Sequence, residues 1–162
     1  LSGCFEGLEV SRVELILNPY RSIYLESRYD KMYYFTEKFE FAATHKLWNE
    51  ELSEAENFKC FGACANKTGH GHNYIVEVTV CRGEDEGGIK AGAIEKVVKD
   101  NFIEVVDHKN LNVDVEYFVE HNPTVENISS FAYECLRDKF DGVHLESVTV
   151  WENDRTYCSY RQ

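Results

Sequence analysis

Proline and methionine are nearly missing from this chain, with two of the first and one of the second in 162 residues. So little proline excludes polyproline and collagen-like architectures. No apolar run approaches the length of a membrane span, and no signal-peptide pattern opens the sequence. Clustered basic residues are also lacking. Lys and Arg number 17 against 29 Asp and Glu, for a net charge of −12. Such a chain repels nucleic acid and anionic membrane, so neither is expected as a partner. Internal repeats and low-complexity tracts are not evident either. What remains is a single acidic, soluble domain whose partner is a small molecule.

The hydrophobic fraction of 43% is enough to build a core at this length. The six cysteines, Cys4, Cys60, Cys64, Cys81, Cys135 and Cys158, are even in number, but a domain of this size needs no disulfide framework. Cys81, Cys135 and Cys158 fall inside predicted elements, where a buried thiol serves as a small hydrophobe. Reduced thiols and a cytoplasmic location are expected.

Residues 1–32 read as an N-terminal extension: a segment of mixed period over residues 10–17, ended by Asn18-Pro19, then a polar connector over residues 24–30. Residues 33–162 read as one domain. Residues 33–47 alternate, with Glu37, Phe39, Phe41, Ala43 and His45 on one face of a half-buried strand. Residues 48–68 read as a polar loop, long enough to be functional. A second strand covers residues 71–82. Ile94, Val97, Val98, Phe102 and Val105 then recur at helical spacing, and a second helix starts near Asn122-Pro123-Thr124 and stops at Gly142. Residues 145–151 and 157–161 close the chain as two further strands. The order is ββααββ, an α+β class.

The chemistry centres on Gly69-His70-Gly71-His72, at the mouth of the second strand. Residues two apart in a strand share a face, so both imidazoles point the same way. The flanking glycines would let a ligand approach. His45 ends the preceding strand, and antiparallel pairing would bring it beside them. Three imidazoles on a four-coordinate Zn²⁺ leave one position open, the pattern of a catalytic site. Cys64, six residues before His70, is placed to act as a thiolate near that metal. Asp107-His108 is a carboxylate–imidazole pair of the kind used in proton relays. Glu152, at the end of the third strand, could accept two N–H donors from a flat heterocycle. His121 and His144 have no comparable company.

Taken in order, Phe39-Glu40-Phe41-Ala42-Ala43-Thr44-His45, Phe61-Gly62-Ala63-Cys64, Gly69-His70-Gly71-His72-Asn73-Tyr74, Val106-Asp107-His108-Lys109-Asn110-Leu111, Pro123-Thr124-Val125-Glu126-Asn127 and Val148-Thr149-Val150-Trp151-Glu152 resemble the 6-pyruvoyl-tetrahydropterin synthase family. The resemblance implies a tunnelling fold: a four-stranded antiparallel sheet with two helices on one side. Three sheets would join into a barrel, and two barrels would stack into a homohexamer with sites between subunits. It implies Zn²⁺ on His45, His70 and His72, a catalytic Cys64, a relay of Asp107 and His108 from a neighbouring subunit, and a pterin ring held by Glu152 and Thr124. The implied reaction is triphosphate elimination from 7,8-dihydroneopterin triphosphate to give 6-pyruvoyl-tetrahydropterin.

Val125 departs from the pattern, standing where many members carry a second Thr. The extension looks like the malaria-parasite branch, in which a Glu replaces the catalytic Cys and side-chain cleavage to 6-hydroxymethyl-7,8-dihydropterin feeds folate synthesis. Glu37 lies about 26 Å of strand from His45, too far to serve there. Glu26, in the connector, is therefore the nominated alternative base, and Lys46, Lys67 and Lys109 are candidates to face the phosphates. Competing readings are a 6-carboxy-tetrahydropterin synthase-like enzyme, a three-histidine zinc hydrolase without a pterin anchor, and a zinc-stabilised binding module.

Overall fold

A computed structural model describes residues 9–29, 31–84 and 87–162. The strands are β1 (Arg12–Asn18), β2 (Arg21–Glu26), β3 (Met32–His45), β4 (His70–Gly83), β5 (Lys109–Asn110), β6 (His144–Asn153) and β7 (Thr156–Tyr160). The helices are α1 (Glu54–Phe61), α2 (Ala91–Val98), α3 (Glu104–Val106), α4 (Leu111–Asp114), α5 (Tyr117–Glu120) and α6 (Val125–Leu136). One sheet runs in the order β1-β2-β3-β4-β6-β7, with the short β5 parallel to β3 at its far end. The four expected strands are therefore its middle and one side. The hairpin β1–β2 and the short β5 enlarge it to seven strands, and the sheet of the single chain is open.

The expected connector over residues 24–30 begins in strand, because β2 (Arg21–Glu26) takes in residues 24–26. β2 pairs with the first part of β3, Arg21 opposite Glu37 and Tyr24 opposite Tyr34. Its polar residues Arg21, Ser22 and Glu26 hid it, although only Leu25 of the strand is exposed. Arg21 fastens the hairpin: its guanidinium donates to the buried Glu37 carboxylate and reaches Glu95 at 3.1 Å. Burial pushes the Glu37 carboxyl up, and Arg21 offsets only part of that rise.

β3 and β4 pair in one antiparallel register over fourteen residues, from Met32 opposite Gly83 to His45 opposite His70. Their shared face carries Phe35, Phe41, Tyr74, Val76, Val78 and Val80, all buried under α2, α3 and α6. Val148 and Val150 extend the same layer from β6. The other face is polar, with Thr36 and Thr79 hydroxyls 3.0 Å apart and a Lys38–Glu77 ion pair at 3.4 Å.

Three local expectations shift. The loop over 48–68 contains α1, started by a capping box in which Ser53 and Glu56 satisfy each other's backbone. Thr124 caps α6, so Pro123 precedes the helix, and α6 ends at Leu136, before Gly142. The helix after β4 is interrupted by a π-turn at Lys99–Ile103. That turn rotates Phe102 into the core, where it meets Phe41 edge-on at 5.6 Å. Phe102→Ala would leave a cavity under the sheet. Urea unfolding of the variant should show a loss of about 3–5 kcal/mol with an unchanged m-value.

Candidate metal centre

The β3–β4 register decides the site. It sets His45 opposite His70 and Ala43 opposite His72. Odd residues of β3 and even residues of β4 share the helix-side face, so the three imidazoles converge at the end of the core. Their ring centroids lie 4.6, 5.2 and 4.6 Å apart for the pairs 45–70, 45–72 and 70–72. Glu152 joins them from β6, with its carboxylate 3.1 Å from His72 Nε2. One ligand atom from each of His45, His70, His72 and Glu152 lies within 4.8 Å of all the others.

The donor set fits a cation. His45 Nδ1 lies 2.8 Å from the Pro123 carbonyl, which can only accept, so Nδ1 carries the proton and Nε2 presents a lone pair. That Nε2 lies 3.2 Å from His70 Nε2. Zinc–nitrogen bonds of 2.0–2.1 Å at a tetrahedral angle put two ligand nitrogens about 3.3 Å apart. His72 Nε2 is buried, close to a carboxylate, yet makes no hydrogen bond of good geometry. Burial drives the His45 and His72 pKa values down, so both rings stay neutral and able to ligate.

Cys64 follows α1 in a 3₁₀ turn and points its sulfur to 3.6 Å from His70 Nε2. In the metal-free protein, burial first and the Glu152 charge second push this thiol up. Cys60, Cys64, Cys135 and Cys158 carry free thiols.

The glycines act differently from expectation. Gly69 has φ +69, and a Cβ there would meet the His45 carbonyl oxygen at 2.8 Å. At Gly71 a Cβ would press on Thr44 Cγ2 at 3.3 Å. They let β4 turn in against β3 rather than clearing space for a ligand.

Asp107 and His108 are together but lie outside the cluster. Burial raises the Asp107 pKa, but the Ala42 N–H at 2.9 Å and His108 outweigh it and hold the carboxylate below its usual range. His108 adopts φ 57, donates its N–H to the Ala42 carbonyl at 2.6 Å, and keeps its ring 82% exposed. The pair is thus pinned to the outer edge of β3 and faces outward. Thr124 sits beside the Pro123 carbonyl that orients His45, and its hydroxyl caps α6.

Glu26 is not brought near. It ends β2 beside the beginning of β3 and ion-pairs with Arg28 at 2.8 Å, about 40 Å of strand from His45. Lys46 and Lys67 line a cavity of about 570 Å³ that reaches His45, whereas Lys109 lines another beside His72 and His108. Tyr74 was not singled out from the sequence. Its hydroxyl is buried without a hydrogen-bond partner, on the same strand face as His72. The i, i+2 spacing from His72 was the available signal, masked because Tyr74 also reads as core.

Comparison with known proteins gives a consistent answer. The family profile described as 6-pyruvoyl tetrahydropterin synthase matches residues 34–162. The human 6-pyruvoyl tetrahydrobiopterin synthase is 36% identical over 125 residues, covering 75% of this chain and 86% of its own. The solved Caenorhabditis elegans 6-pyruvoyl tetrahydropterin synthase superposes with a TM-score of 0.73 at 32% identity, over 81% of this chain and 96% of its own. The Plasmodium falciparum 6-pyruvoyl tetrahydropterin synthase shares the fold, with a TM-score of 0.60 over 82% of this chain and 99% of its own, but only 15% identity. The expected kinship with the malaria-parasite branch is corrected accordingly: the similarity to the animal proteins is greater.

Two measurements check the centre. Gly69→Ala should lower zinc stoichiometry, read by elemental analysis, because strain at φ +69 and the clash displace the His45 carbonyl. In metal-free protein, the unfolded state takes up protons on histidine as pH falls below 6.5, whereas buried His45 and His72 do not. Stability should therefore be full above pH 6.5 and decline as pH falls through their lowered native values, and zinc should oppose that decline.

Proposed function

The chain belongs to the 6-pyruvoyl tetrahydropterin synthase family, and on that premise we propose how its residues divide the work of a pterin lyase. It is an enzyme of the 6-pyruvoyl tetrahydropterin synthase type, acting on a dihydroneopterin-triphosphate-like substrate. The observation that carries the reading is the convergence of His45, His70, His72 and Glu152 with the Cys64 thiol beside them.

His45, His70 and His72 would hold Zn²⁺. When bound, the ion polarises the side-chain oxygens of the substrate and acidifies the adjoining C–H and O–H bonds. His45 is oriented by the Pro123 carbonyl, which keeps Nε2 free for the metal. Cys64 is the base that moves the side-chain proton, and a cation held by the histidines beside its sulfur would favour the thiolate that burial opposes. Glu152 accepts the N–H donors of the pterin ring, and Thr124 supports the ring from the α6 cap. Asp107 fixes the His108 ring through Nδ1 at 2.8 Å, leaving Nε2 to exchange a proton.

Since His108 faces outward from the β3 edge, it serves a site completed by another unit of the same fold. We therefore assign the protein to a closed ring of such sheets, with two rings stacked into an assembly of six units. The distant Glu26 leaves Cys64 as the base within the chain. Elimination of triphosphate to 6-pyruvoyl-tetrahydropterin follows from that choice, and side-chain cleavage to 6-hydroxymethyl-7,8-dihydropterin is the competing outcome.

Incubation with 7,8-dihydroneopterin triphosphate and chromatography of the pterins tests this directly; absence of any new pterin with zinc-loaded protein would sink it. Cys64→Ala should lower kcat by roughly 10²–10⁴ with zinc retained, whereas Glu26→Ala should leave turnover intact. Glu152→Ala should raise KM and keep zinc if the carboxylate anchors substrate; loss of zinc instead would make it a metal ligand.

A further inference from the structure

The two hairpins of the sheet are built alike. In β6–β7, Trp151 pairs with Tyr157, the register shifts, and Asn153 pairs with Thr156. In β1–β2, Ile16 pairs with Ser22, the register shifts, and Asn18 pairs with Arg21. Both asparagines close their turns alike. Asn153 Oδ1 accepts from the Arg155 and Thr156 N–H groups at 2.9 and 3.1 Å, and Asn18 Oδ1 accepts from the Tyr20 N–H at 2.8 Å.

With Asn18 laid on Asn153, the correspondence runs upstream without a gap. Leu15 falls on Val150, Val13 on Val148, Val10 on Leu145, Leu8 on Val143, Gly7 on Gly142, Glu6 on Asp141 and Phe5 on Phe140. The shift is roughly 135 positions, close to the span of residues 34–162 that the family profile covers. The expectation of no internal repeat is corrected here. Only the tail of a unit recurs, so the repeat is invisible to the eye until the two registers are superposed.

Burial separates the copies. Val148 and Val150 are 0% exposed, because β4 flanks β6 with Val78 and Val76 opposite them. Their counterparts Val13 and Leu15 are 45% and 63% exposed, on a strand whose outer side is unpaired among the described residues. Apart from the Arg12–Glu14 ion pair, this edge strand is apolar and lacks lysine and proline, so its stretch over residues 13–17 is a template for another strand. Side chains of core character stand on this edge because the body they belong to is not beside them.

We infer that β1–β2 is the closing hairpin of a preceding copy of this domain in the same polypeptide. The open side of β1 is then the seat of that copy's β4-like strand, with its helices over Val13, Leu15 and Leu17. β2 corresponds to β7 and lies on β3, so the β2–β3 pairing is the junction between consecutive units, made within one chain. A separate subunit's β7 finds residues 34–37 of β3 already taken. Leu17 stands where Glu152 stands, so the preceding unit lacks the carboxylate of the metal cluster and serves structure rather than a complete site.

Sequencing the full transcript tests the covalent claim. An in-frame unit of about this size, ending in residues 5–26, is expected. A start codon within a few tens of codons of Leu1, or an unrelated domain upstream, overturns the inference. Amide hydrogen exchange tests the edge. The outward amides of β1 should exchange freely in the 162-residue chain at every concentration, and at least about 100-fold more slowly in the full-length protein. Equal rates in the two proteins, or protection in the shorter chain that grows with its concentration, would instead overturn it. Neither readout involves turnover or metal, so a failure here leaves the proposed activity standing, and the reverse.

Discussion

The antiparallel register of β3 on β4 is the constraint on which the molecule depends. Fourteen residues of each strand pair without a bulge. Within that run Phe41, Tyr74, Val76 and Val78 are buried, and at its end three histidines meet. A slip of one residue would send every side chain of one strand to the opposite face. It would expose the core and scatter the imidazoles together. Stability and ligation are therefore specified by the same pairing, with burial of the apolar residues holding the histidines in place. Gly69 and Gly71 admit the close approach of the strands at that end.

The remaining groups are placed by different means. Glu152 follows from β6 continuing the same face, so it extends the register by one strand. Cys64 arrives on a short turn after a capped helix, and only the path of that loop sets its distance from His70. Asp107 and His108 occupy a third position, clamped to Ala42 at the sheet edge with His108 in a left-handed conformation. For a residue with a Cβ that conformation is costly, and two backbone-directed hydrogen bonds hold it. The strain turns the ring outward, away from the metal cluster.

The hairpin β1–β2 changes what the sheet presents. With it in place, the first part of the β3 edge is covered, and among the described residues the free edges are β1 and β7. The Arg21–Glu37 pair shows that this contact is specific, since a buried carboxylate is tolerated only with such a partner. The opposite, polar face of the sheet carries the Thr36–Thr79 hydroxyl pair and the Lys38–Glu77 ion pair.

From the sequence alone, the alternation of residues 33–47 and the His-x-His spacing determined that three imidazoles share a face, because side-chain direction in a strand has a strict period of two. Helical stripes and the Asn-Pro-Thr start were equally legible, since local periodicity and capping need no partner. Tertiary structure alone decided the rest. The polar β2 became a strand because β3 offered it an edge, the role of Gly69 came from the nearness of His45, and Glu26 lay at the wrong end because the hairpin runs that way. Exposure of Val13 and Leu15 also needed coordinates. A sequence states which residues are apolar, but only the fold states which of them lack a partner.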